Sequence, residues 1–580
     1  MKPPLPPHLI LPALRSRLLA ALLLLGFAGL AGRAAYLQGM HNGFLQEKGE
    51  SRYTRVLEMS AHRGMITDRH GEPLAISTPV ESVWSSPQDM RATPEQTKKL
   101  AILIGLEAEE INRRIKGTTG DQQRGARRDF VYLKRHLSPD VAAKVVELNI
   151  PGVFLKREYR RFYPAGELTA HVLGFTDVDD KGQEGIELAW QDELAGKPGS
   201  RRVIRDRKGR VVEDIESIRA PRPGQNIALS MDGKIQYLAY RELKQAVEVN
   251  KAKAGGIVVL DAETGEILAL VNLPAYNPNN RRSMSGGQAR NRALTDMFEP
   301  GSTLKPFTVA AALEKGEIKA DTVFETSPGT FSIGRATIRD TRREGALTVA
   351  QVIQKSSNVG SAKIALSLPP QTLWGILNDV GFGTPTGSGF PGEASGTLRP
   401  YRSWRPIEQA TMSYGHGIAV SLLQLARAYT LFSSEGELKP VSLLRLDAVP
   451  PGKRVVSRDT AEAVSEMLEM AAQPGGTAPQ ARINGYRVAG KTGTAHKLEG
   501  KGYAKNRYLS TFVGYAPVSS PRFIIAVMLD EPSAGQYFGG AVAAPVFSRV
   551  MSGALRMRGV PQDAPATNVN VVYGRAGAQG

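Results

Sequence analysis

The chain has 580 residues, a length that leaves room for several domains. Hydrophobic residues make up 41% of it and aromatic residues 7%, which fits globular cores and excludes a wholly disordered protein. The absence of cysteine excludes disulfides, thiolate nucleophiles and cysteine metal sites, and the histidines fall in no metal-binding spacing, so we expect no metal and no other cofactor.

The 74 basic and 56 acidic side chains give a formal net charge of +18. Such an excess is compatible with a polyanionic partner, such as anionic lipid or an acidic polymer, and equally with a merely basic soluble surface. The sequence contains no nucleic-acid-binding motif, so we expect no nucleic-acid partner.

An apolar segment near the N-terminus predicts a membrane anchor. Residues 18–37 are apolar except for one arginine near the end, and they are numerous enough to cross a bilayer as one helix. Lys2, Arg15 and Arg17 favour a cytoplasmic location for the tail, residues 1–17, by the positive-inside rule. A cleaved signal peptide is the alternative. In either case nearly all of the chain is exported.

Residues 38–221 are rich in charge and show no defensible acid–base pair, so we predict a non-catalytic domain. Between Thr93 and Ile115 apolar residues recur at helical spacing, and Thr93-Pro94 fits an N-cap followed by proline at the first helical position. Residues 201–210 alternate valine and isoleucine with basic side chains, a pattern typical of a strand or hairpin. The proline- and glycine-rich residues 220–226 mark a domain boundary.

The second domain, residues 222–557, alternates strand and helix patterns, and we predict an α+β fold with an antiparallel sheet and helical layers. Residues 558–580 show no periodicity, so we expect a mobile tail. The predicted hairpins and the closing helix lie at 257–271, at 508–517 with 522–529, and at 542–557.

Three short motifs stand in this domain in a fixed order: S-T-L-K at Ser302–Lys305, S-S-N at Ser356–Asn358 and K-T-G-T at Lys491–Thr494. Taken singly they are compatible with a helix cap, an ordinary loop and a β-turn. Together, in this order, they are typical of serine acyltransferases such as penicillin-binding proteins and class A β-lactamases.

Ser302 is the predicted nucleophile and Lys305 its base. Pro306 has no N–H and is tolerated only in a first turn, so a helix should begin near Ser302 and bring the two side chains onto one face. A lysine accepts a proton only when it is neutral. Desolvation, the helix N-terminus and a second cation at Lys491 would all lower its pKa.

The other two motifs predict substrate contacts. A hydroxyl and an amide at Ser356 and Asn358 suit proton relay and binding of a substrate amide. We predict that the K-T-G-T motif lies on an edge strand, where Gly493 lets a substrate backbone approach. The lysine and the hydroxyls of Thr492 and Thr494 suit a terminal carboxylate.

From about residue 15 to 560 the chain resembles the class B penicillin-binding proteins, and among them the division-specific peptidoglycan D,D-transpeptidases. The resemblance implies one transmembrane helix, an elongated pedestal (dimerisation-like) domain and a transpeptidase domain with a β-lactamase-like antiparallel sheet flanked by helices. Beyond the three motifs it rests on RGMITDRHGEPLA at 63–75, REYRRFYPAGELTAHVLGFTD at 157–177, GQEGIELAWQDEL at 182–194, NRALTDMFEPGSTLKPF at 291–307, SYGHGIAVSLLQLARAY at 413–429 and YFGGAVAAPVF at 537–547.

The resemblance also implies residue roles. Ser302 would be acylated, Lys305 would accept its proton, Ser356 would pass that proton to the leaving D-alanine, and Asn358 would hold the substrate amide. Lys491 would support the electrostatics.

The hydroxyls of Thr492 and Thr494 would bind the carboxylate, next to Gly493, and the backbone N–H groups of Ser302 and Thr494 would form the oxyanion hole. The chain departs from the family at His416, where tyrosine is common.

The implied reaction has two steps. The serine attacks the D-Ala–D-Ala bond of a peptidoglycan stem peptide, and an amine of a neighbouring stem peptide then resolves the ester. β-Lactams would acylate the same serine. The implied setting is the bacterial inner membrane at the division septum, with a periplasmic catalytic domain. The implied partners are other division proteins and a separate, FtsW-like glycosyltransferase that polymerises lipid II.

Four alternatives remain open from the sequence. A bifunctional enzyme would need a glycosyltransferase motif of the E-D-x-x-F type, which we do not find. A β-lactamase or D,D-carboxypeptidase would use the same acyl-serine chemistry with water as acceptor. A non-catalytic division scaffold would not need competent residues at every motif position. An elongation-type paralogue differs only in its complex.

Overall fold

The structure is a computed structural model that describes residues 13–36, 54–116, 130–205, 211–282, 284–500 and 502–565. The chain divides into two compact units, each built from several segments. Unit 1 comprises the residues up to His62 together with Pro79–Tyr159 and Gly196–Pro223. Unit 2 comprises Arg63–Thr78, Arg160–Ala195 and the residues from Gly224 onward.

The α-helices are α1 Ala13–Ala35, α2 Pro94–Ile104, α3 Ala108–Lys116, α4 Pro139–Glu147, α5 Ala170–Leu173, α6 Gly185–Ala189, α7 Gln191–Ala195, α8 Gly233–Val249, α9 Arg292–Thr295, α10 Lys305–Glu314, α11 Val349–Lys355, α12 Asn358–Leu366, α13 Pro370–Asp379, α14 Pro406–Met412, α15 Leu422–Ala428, α16 Thr430–Ser433, α17 Arg458–Ala472, α18 Gly539–Val542 and α19 Ala544–Met557. Short 3₁₀ turns lie at Gly166–Leu168, Gly301–Leu304, Tyr401–Ser403 and Pro479–Ala481.

The strands are β1 Thr54–Met59, β2 Ile66–Thr67, β3 Pro73–Ser85, β4 Val131–Leu137, β5 Val153–Phe162, β6 Gly199–Arg205, β7 Val211–Arg219, β8 Ile227–Ala228, β9 Ala254–Asp261, β10 Ile267–Leu273, β11 Val323–Glu325, β12 Thr330–Ile333, β13 Ala336–Arg339, β14 Ala346–Thr348, β15 Glu437–Leu438, β16 Lys453–Arg454, β17 Ala489–Glu499, β18 Gly502–Ala516 and β19 Phe523–Asp530.

Helix α1 contains most of the segment predicted to cross the membrane. Its 23 residues are all unburied, and it is the one helix in the described part of the chain that is long and apolar enough to span a bilayer. Such a helix is about 34 Å long, enough for a hydrocarbon core of about 30 Å. It begins earlier than predicted, and the predicted last residue, 37, lies outside the described residues.

Unit 1 contains an antiparallel sheet in the order β1-β6-β7 and a small apolar core that includes Leu100, Ile104 and Leu133. The predicted N-cap at Thr93 is confirmed, because its side chain accepts from the backbone N–H of Gln96. The helical pattern that follows it forms two helices. Gly105 ends α2 with a φ of 62°, a left-handed conformation that glycine adopts without steric cost. The predicted strand at 201–210 is β6 up to Arg205, and the rest lies outside the described residues.

The sheet of Unit 2 has the order β10-β9-β19-β18-β17, with every neighbouring pair antiparallel, and confirms the predicted α+β fold. Both predicted hairpins are present, as β9–β10 and β18–β19. Alternate side chains of β19 enter different cores. Phe523 and Ile525 pack with α8 and α19, whereas Ile524 and Ala526 pack with the helices on the other face. Helices therefore cover both faces of this sheet. Strand β17 lies at one edge of the sheet.

A buried ion cluster joins three distant segments of Unit 2. Both oxygens of the Glu187 carboxylate are engaged, one by Arg63 Nη2 at 2.7 Å and the other by Arg161 Nε at 2.6 Å, and all three side chains are at most 1% exposed. These residues come from the sequence signatures at 63–75, 157–177 and 182–194. A buried carboxylate needs such partners, because an unpaired charge in the interior is strongly destabilising.

The described chain continues beyond α19. Asp563 accepts hydrogen bonds from the backbone N–H of Arg487 at 2.7 Å and from Ser519 Oγ at 3.0 Å, and Val560 O accepts from the Tyr486 hydroxyl at 2.6 Å. The first residues of the predicted tail therefore pack on Unit 2. Residues 566–580 lie outside the described residues.

Candidate active site

The predicted nucleophile lies in the turn that opens α10. Gly301–Leu304 form a 3₁₀ turn that runs directly into α10, with Pro306 in the first helical turn, as its missing N–H requires. The helix predicted to begin near Ser302 is thus present, and its first turn is the tighter 3₁₀ form. Ser302 is half-buried at this helix start, and Lys305 is the first α-helical residue.

The amine of Lys305 is fully buried and surrounded by oxygen atoms. Its Nζ lies 3.0 Å from Ser302 Oγ, 2.5 Å from Ser356 O, 2.8 Å from Asn358 Oδ1 and 3.2 Å from Ser356 Oγ. The carbonyl of Ser356 and the amide oxygen of Asn358 accept but do not donate. A neutral amine has two N–H groups, and these two acceptors use both. Its lone pair is then left for the hydroxyl proton of Ser302.

Burial and the cation of Lys491 hold the pKa of Lys305 well below its ordinary value, while Asp340 opposes that shift. Burial alone lowers the pKa of Lys491 to about 7. Lys491 Nζ lies 2.9 Å from Ser356 Oγ, so one hydroxyl stands between the two amines. Ser302, Lys305, Ser356 and Lys491 therefore form one hydrogen-bonded chain along which a proton has a continuous path.

The S-S-N motif lies at a break between two helices. Ser356 ends α11 with a φ of 61°, and Ser357 is the N-cap of α12, where its Oγ accepts from the backbone N–H of Gly360. The break turns the chain so that the carbonyl and hydroxyl of Ser356 and the amide of Asn358 all reach Lys305. Local capping chemistry thus positions the motif.

Sequence analysis missed Asp340, which holds this break in place. Its carboxylate accepts from Ser357 Oγ at 2.7 Å, from the backbone N–H of Asn358 at 2.5 Å and from that of Val359 at 3.0 Å. It thereby satisfies the free N–H groups at the start of α12 with a negative charge, the favoured arrangement at a helix N-terminus. Asp340 directly follows β13, and no local pattern connects it to a motif further along the chain.

The K-T-G-T motif lies on the edge strand β17, as predicted, with Thr492 opposite Phe512 and Gly493 opposite Thr511 of β18. The structure gives a further reason for the glycine. A Cβ at Gly493 would lie 2.3 Å from Thr511 Oγ1 and 2.8 Å from Pro300 O, so the nucleophile turn packs directly on the strand.

The two threonine hydroxyls of the motif contact protein groups. Thr492 is 7% exposed, and its Oγ1 lies 3.1 Å from Thr477 Oγ1. Thr494 is half-buried, and its Oγ1 accepts from the backbone N–H of Gly539 at 3.0 Å. Lys491 Nζ donates to Thr492 Oγ1 at 3.3 Å, so the Thr492 hydroxyl is connected to the serine–lysine chain, and Thr494 lies two residues further along the same edge strand. Within the described residues no cluster of histidine and carboxylate groups is able to hold a metal ion.

Two family models match the chain: the penicillin binding protein transpeptidase domain at residues 255–552 and the penicillin-binding protein dimerisation domain at residues 58–229. The Escherichia coli K12 protein named "Peptidoglycan D,D-transpeptidase FtsI" is 42% identical over 95% of this chain and 93% of its own length. A Neisseria meningitidis protein named "Probable peptidoglycan D,D-transpeptidase PenA" is 44% identical over 93% of this chain and 92% of its own length.

Solved structures agree with these matches. The transpeptidase domain of Burkholderia pseudomallei penicillin-binding protein 3 has 48% sequence identity and a TM-score of 0.54, and covers 58% of this chain and 98% of that chain. A peptidoglycan synthetase from Bifidobacterium adolescentis has 25% identity and a TM-score of 0.70, and covers 89% of this chain and 98% of that chain.

Replacing Asp340 should slow acylation of Ser302 without unfolding the protein. D340A removes three hydrogen bonds that orient Ser357 and Asn358. Loss of a helix cap and of charge-assisted bonds costs about 1–3 kcal/mol, so we expect the rate constant for labelling by a fluorescent penicillin to fall roughly tenfold to a hundredfold. D379A, which removes a surface carboxylate paired with Lys453, is the control. An unchanged rate in D340A would show that the cap does not position the motif.

The pH dependence of acylation should report the charge of Lys305. Its pKa is lowered and only the neutral amine accepts a proton, so the rate should rise as pH rises through that pKa and be lost below it. K491M removes the neighbouring cation and thereby raises the pKa of Lys305. We expect the rising limb to move to higher pH, however slow the reaction becomes. K319M, at an exposed lysine, should leave the limb in place. A limb that stays fixed in K491M would contradict the coupling of the two amines.

Proposed function

The chain belongs to the penicillin-binding protein family of peptidoglycan D,D-transpeptidases, and on that premise we propose that Ser302 forms the acyl-enzyme through which it cross-links stem peptides. One observation carries the proposal. A fully buried lysine amine, with two oxygen acceptors that use its N–H groups, lies 3.0 Å from the serine hydroxyl. That arrangement makes an otherwise weak nucleophile reactive without a histidine.

In the first half-reaction Ser302 Oγ attacks the carbonyl of the penultimate D-alanine, and its proton passes to Lys305. The C–N bond of the terminal D-alanine then breaks, and the departing amine takes a proton from the Ser356 hydroxyl. Lys305 resupplies Ser356 across the 3.2 Å contact. Lys305 is neutral again when D-alanine leaves, and the peptide remains as an ester of Ser302. A β-lactam would follow the same path up to the ester.

In the second half-reaction the amine of another stem peptide attacks the ester carbonyl, and the C–O bond to Ser302 breaks. Asn358 holds the amide of the donor peptide, and Gly493 lies on the edge strand along which that peptide extends. Lys491 supplies positive charge near the carboxylate, together with the hydroxyls of Thr492 and Thr494. The backbone N–H groups of Ser302 and Thr494 stabilise the oxyanion.

For the setting of this reaction we infer an inner-membrane protein anchored by α1, with a cytoplasmic N-terminus and a periplasmic catalytic domain at the division septum. The apolar helix and the basic residues before it support this topology. The relative named FtsI supports the septal role. Polymerisation of lipid II would then come from a separate, FtsW-like glycosyltransferase among the division proteins. Imaging a tagged protein tests the septal role: enrichment at midcell is expected, and dispersed lateral patches would point to elongation.

The nucleophile is tested by replacing one atom. S302A should fold normally, because a half-buried hydroxyl is lost without leaving a large cavity, and it should lose all covalent labelling by a fluorescent penicillin. S367A, which removes a hydroxyl bonded to a helix carbonyl elsewhere in Unit 2, is the matched control and should label normally. Labelling of S302A at another residue would refute the assignment. Release of the wild-type adduct within seconds would favour a β-lactamase.

A further inference from the structure

His416 lies in a loop that packs against the nucleophile turn. The backbone N–H of Gly301 donates to Gly415 O at 3.3 Å, and that of Gly417 donates to Glu299 Oε1 at 2.8 Å. A Cβ added at Gly415 would lie 2.2 Å from Gly301 O, so the two backbones are in direct contact. His416 is thus held on both sides to the residues that immediately precede Ser302.

The imidazole of His416 is half-buried between two aromatic rings, those of Tyr414 at 5.2 Å and Tyr503 at 5.8 Å between centroids. The Tyr503 hydroxyl donates to the Glu299 carboxylate at 3.1 Å. Across the described ranges of the chain, neither ring nitrogen of His416 has a hydrogen-bond partner. A basic nitrogen without a protein partner among the described residues therefore lies in the loop that packs on the nucleophile turn.

Burial favours the neutral form of this ring. Burial lowers the pKa of His416, the Glu299 carboxylate opposes that shift, and positive charge on Lys305 or His496 would lower the pKa further. The titratable and charged groups that face its loop are Glu299, Lys305, Arg399, Tyr414, His496 and Tyr503. A neutral imidazole is able to accept a proton, whereas the phenol of a tyrosine at this position is not.

Transfer of the acyl group to an acceptor amine requires that this amine lose two protons, a requirement that the acylation of Ser302 does not have. An acceptor amine of the lysine type has a pKa of about 10.4, so it reaches the cleft as an ammonium ion. It must lose one proton before it attacks and a second as the amide forms. The second proton goes through Lys305 to Ser302 Oγ as the ester C–O bond breaks. The first needs a separate acceptor, because Lys305 is occupied by the second.

We propose that His416 accepts the first proton of the acceptor ammonium and so makes the amine nucleophilic within the cleft. The balance closes. The ammonium nitrogen gives one proton to the imidazole and one to Ser302 Oγ, the new C–N bond replaces the C–O bond, and the half-exposed imidazolium returns its proton to solvent. This role rests on the proposed function, since it acts only on the acyl-enzyme of a transpeptidase.

The test compares the two fates of one acyl-enzyme at several pH values. The full-length protein is given an acyl-D-alanyl thioester as donor and Nα-acetyl-lysine as acceptor, and the amide and acid products are counted between pH 7 and 9.5. The variants are H416Q and H416Y. The control is H62Q, which removes an exposed imidazole of Unit 1.

We expect amide formation by both His416 variants to be about tenfold lower than in the wild type at pH 7. The deficit should shrink as pH rises and the free amine becomes available without a base. Penicillin labelling and ester hydrolysis should stay within about twofold, and H62Q should match the wild type throughout.

A deficit that is constant across this pH range would mean that His416 only shapes the cleft, and no deficit would also overturn the proposal. Loss of penicillin labelling in the wild type would instead refute the acyl-serine function itself. H416Q preserves polarity and approximate size, so a folding defect confined to H416Y leaves the test decisive.

Discussion

The candidate active site of Unit 2 is organised around two lysine amines that are buried against one serine hydroxyl. Lys305 and Lys491 both contact Ser356 Oγ, and burial disfavours the charged form of each. Positive charge on Lys491 lowers the pKa of Lys305 further and so favours the neutral amine that can accept a proton. The sheet edge, the 3₁₀ turn and the break between α11 and α12 are the means by which the fold brings these two amines to one oxygen.

Parts of this arrangement were predictable because they are local or periodic. The helix start at Ser302 follows from the missing N–H of Pro306, and both hairpins follow from apolar runs that flank a turn. Asp340 was not predictable, because its connection to the S-S-N motif is a contact between segments and leaves no pattern at either one. Gly493 was predicted for a local reason, substrate approach, while its packing against Pro300 and Thr511 is visible only in three dimensions.

The same distinction applies to the buried charges of Unit 2. The signatures at 63–75, 157–177 and 182–194 supported the family resemblance, but nothing in them says that Arg63, Arg161 and Glu187 meet. Two guanidinium groups share one carboxylate there, and burial raises the pKa of neighbouring Asp180 to about 6. Charged groups removed from water this completely demand fixed geometry. These three signatures therefore supply buried ion pairs that hold separate segments of Unit 2 together.

Ser356 combines an unfavourable backbone torsion with a hydroxyl that lies between two buried amines. Its φ of 61° is a left-handed conformation that costs a residue with a Cβ roughly 1 kcal/mol or more and that glycine adopts freely. Glycine would remove that torsional cost, but it would also remove the hydroxyl that both buried amines contact. A residue selected for its torsion alone would be glycine. The serine therefore marks a place where the backbone carries strain in return for an oxygen atom.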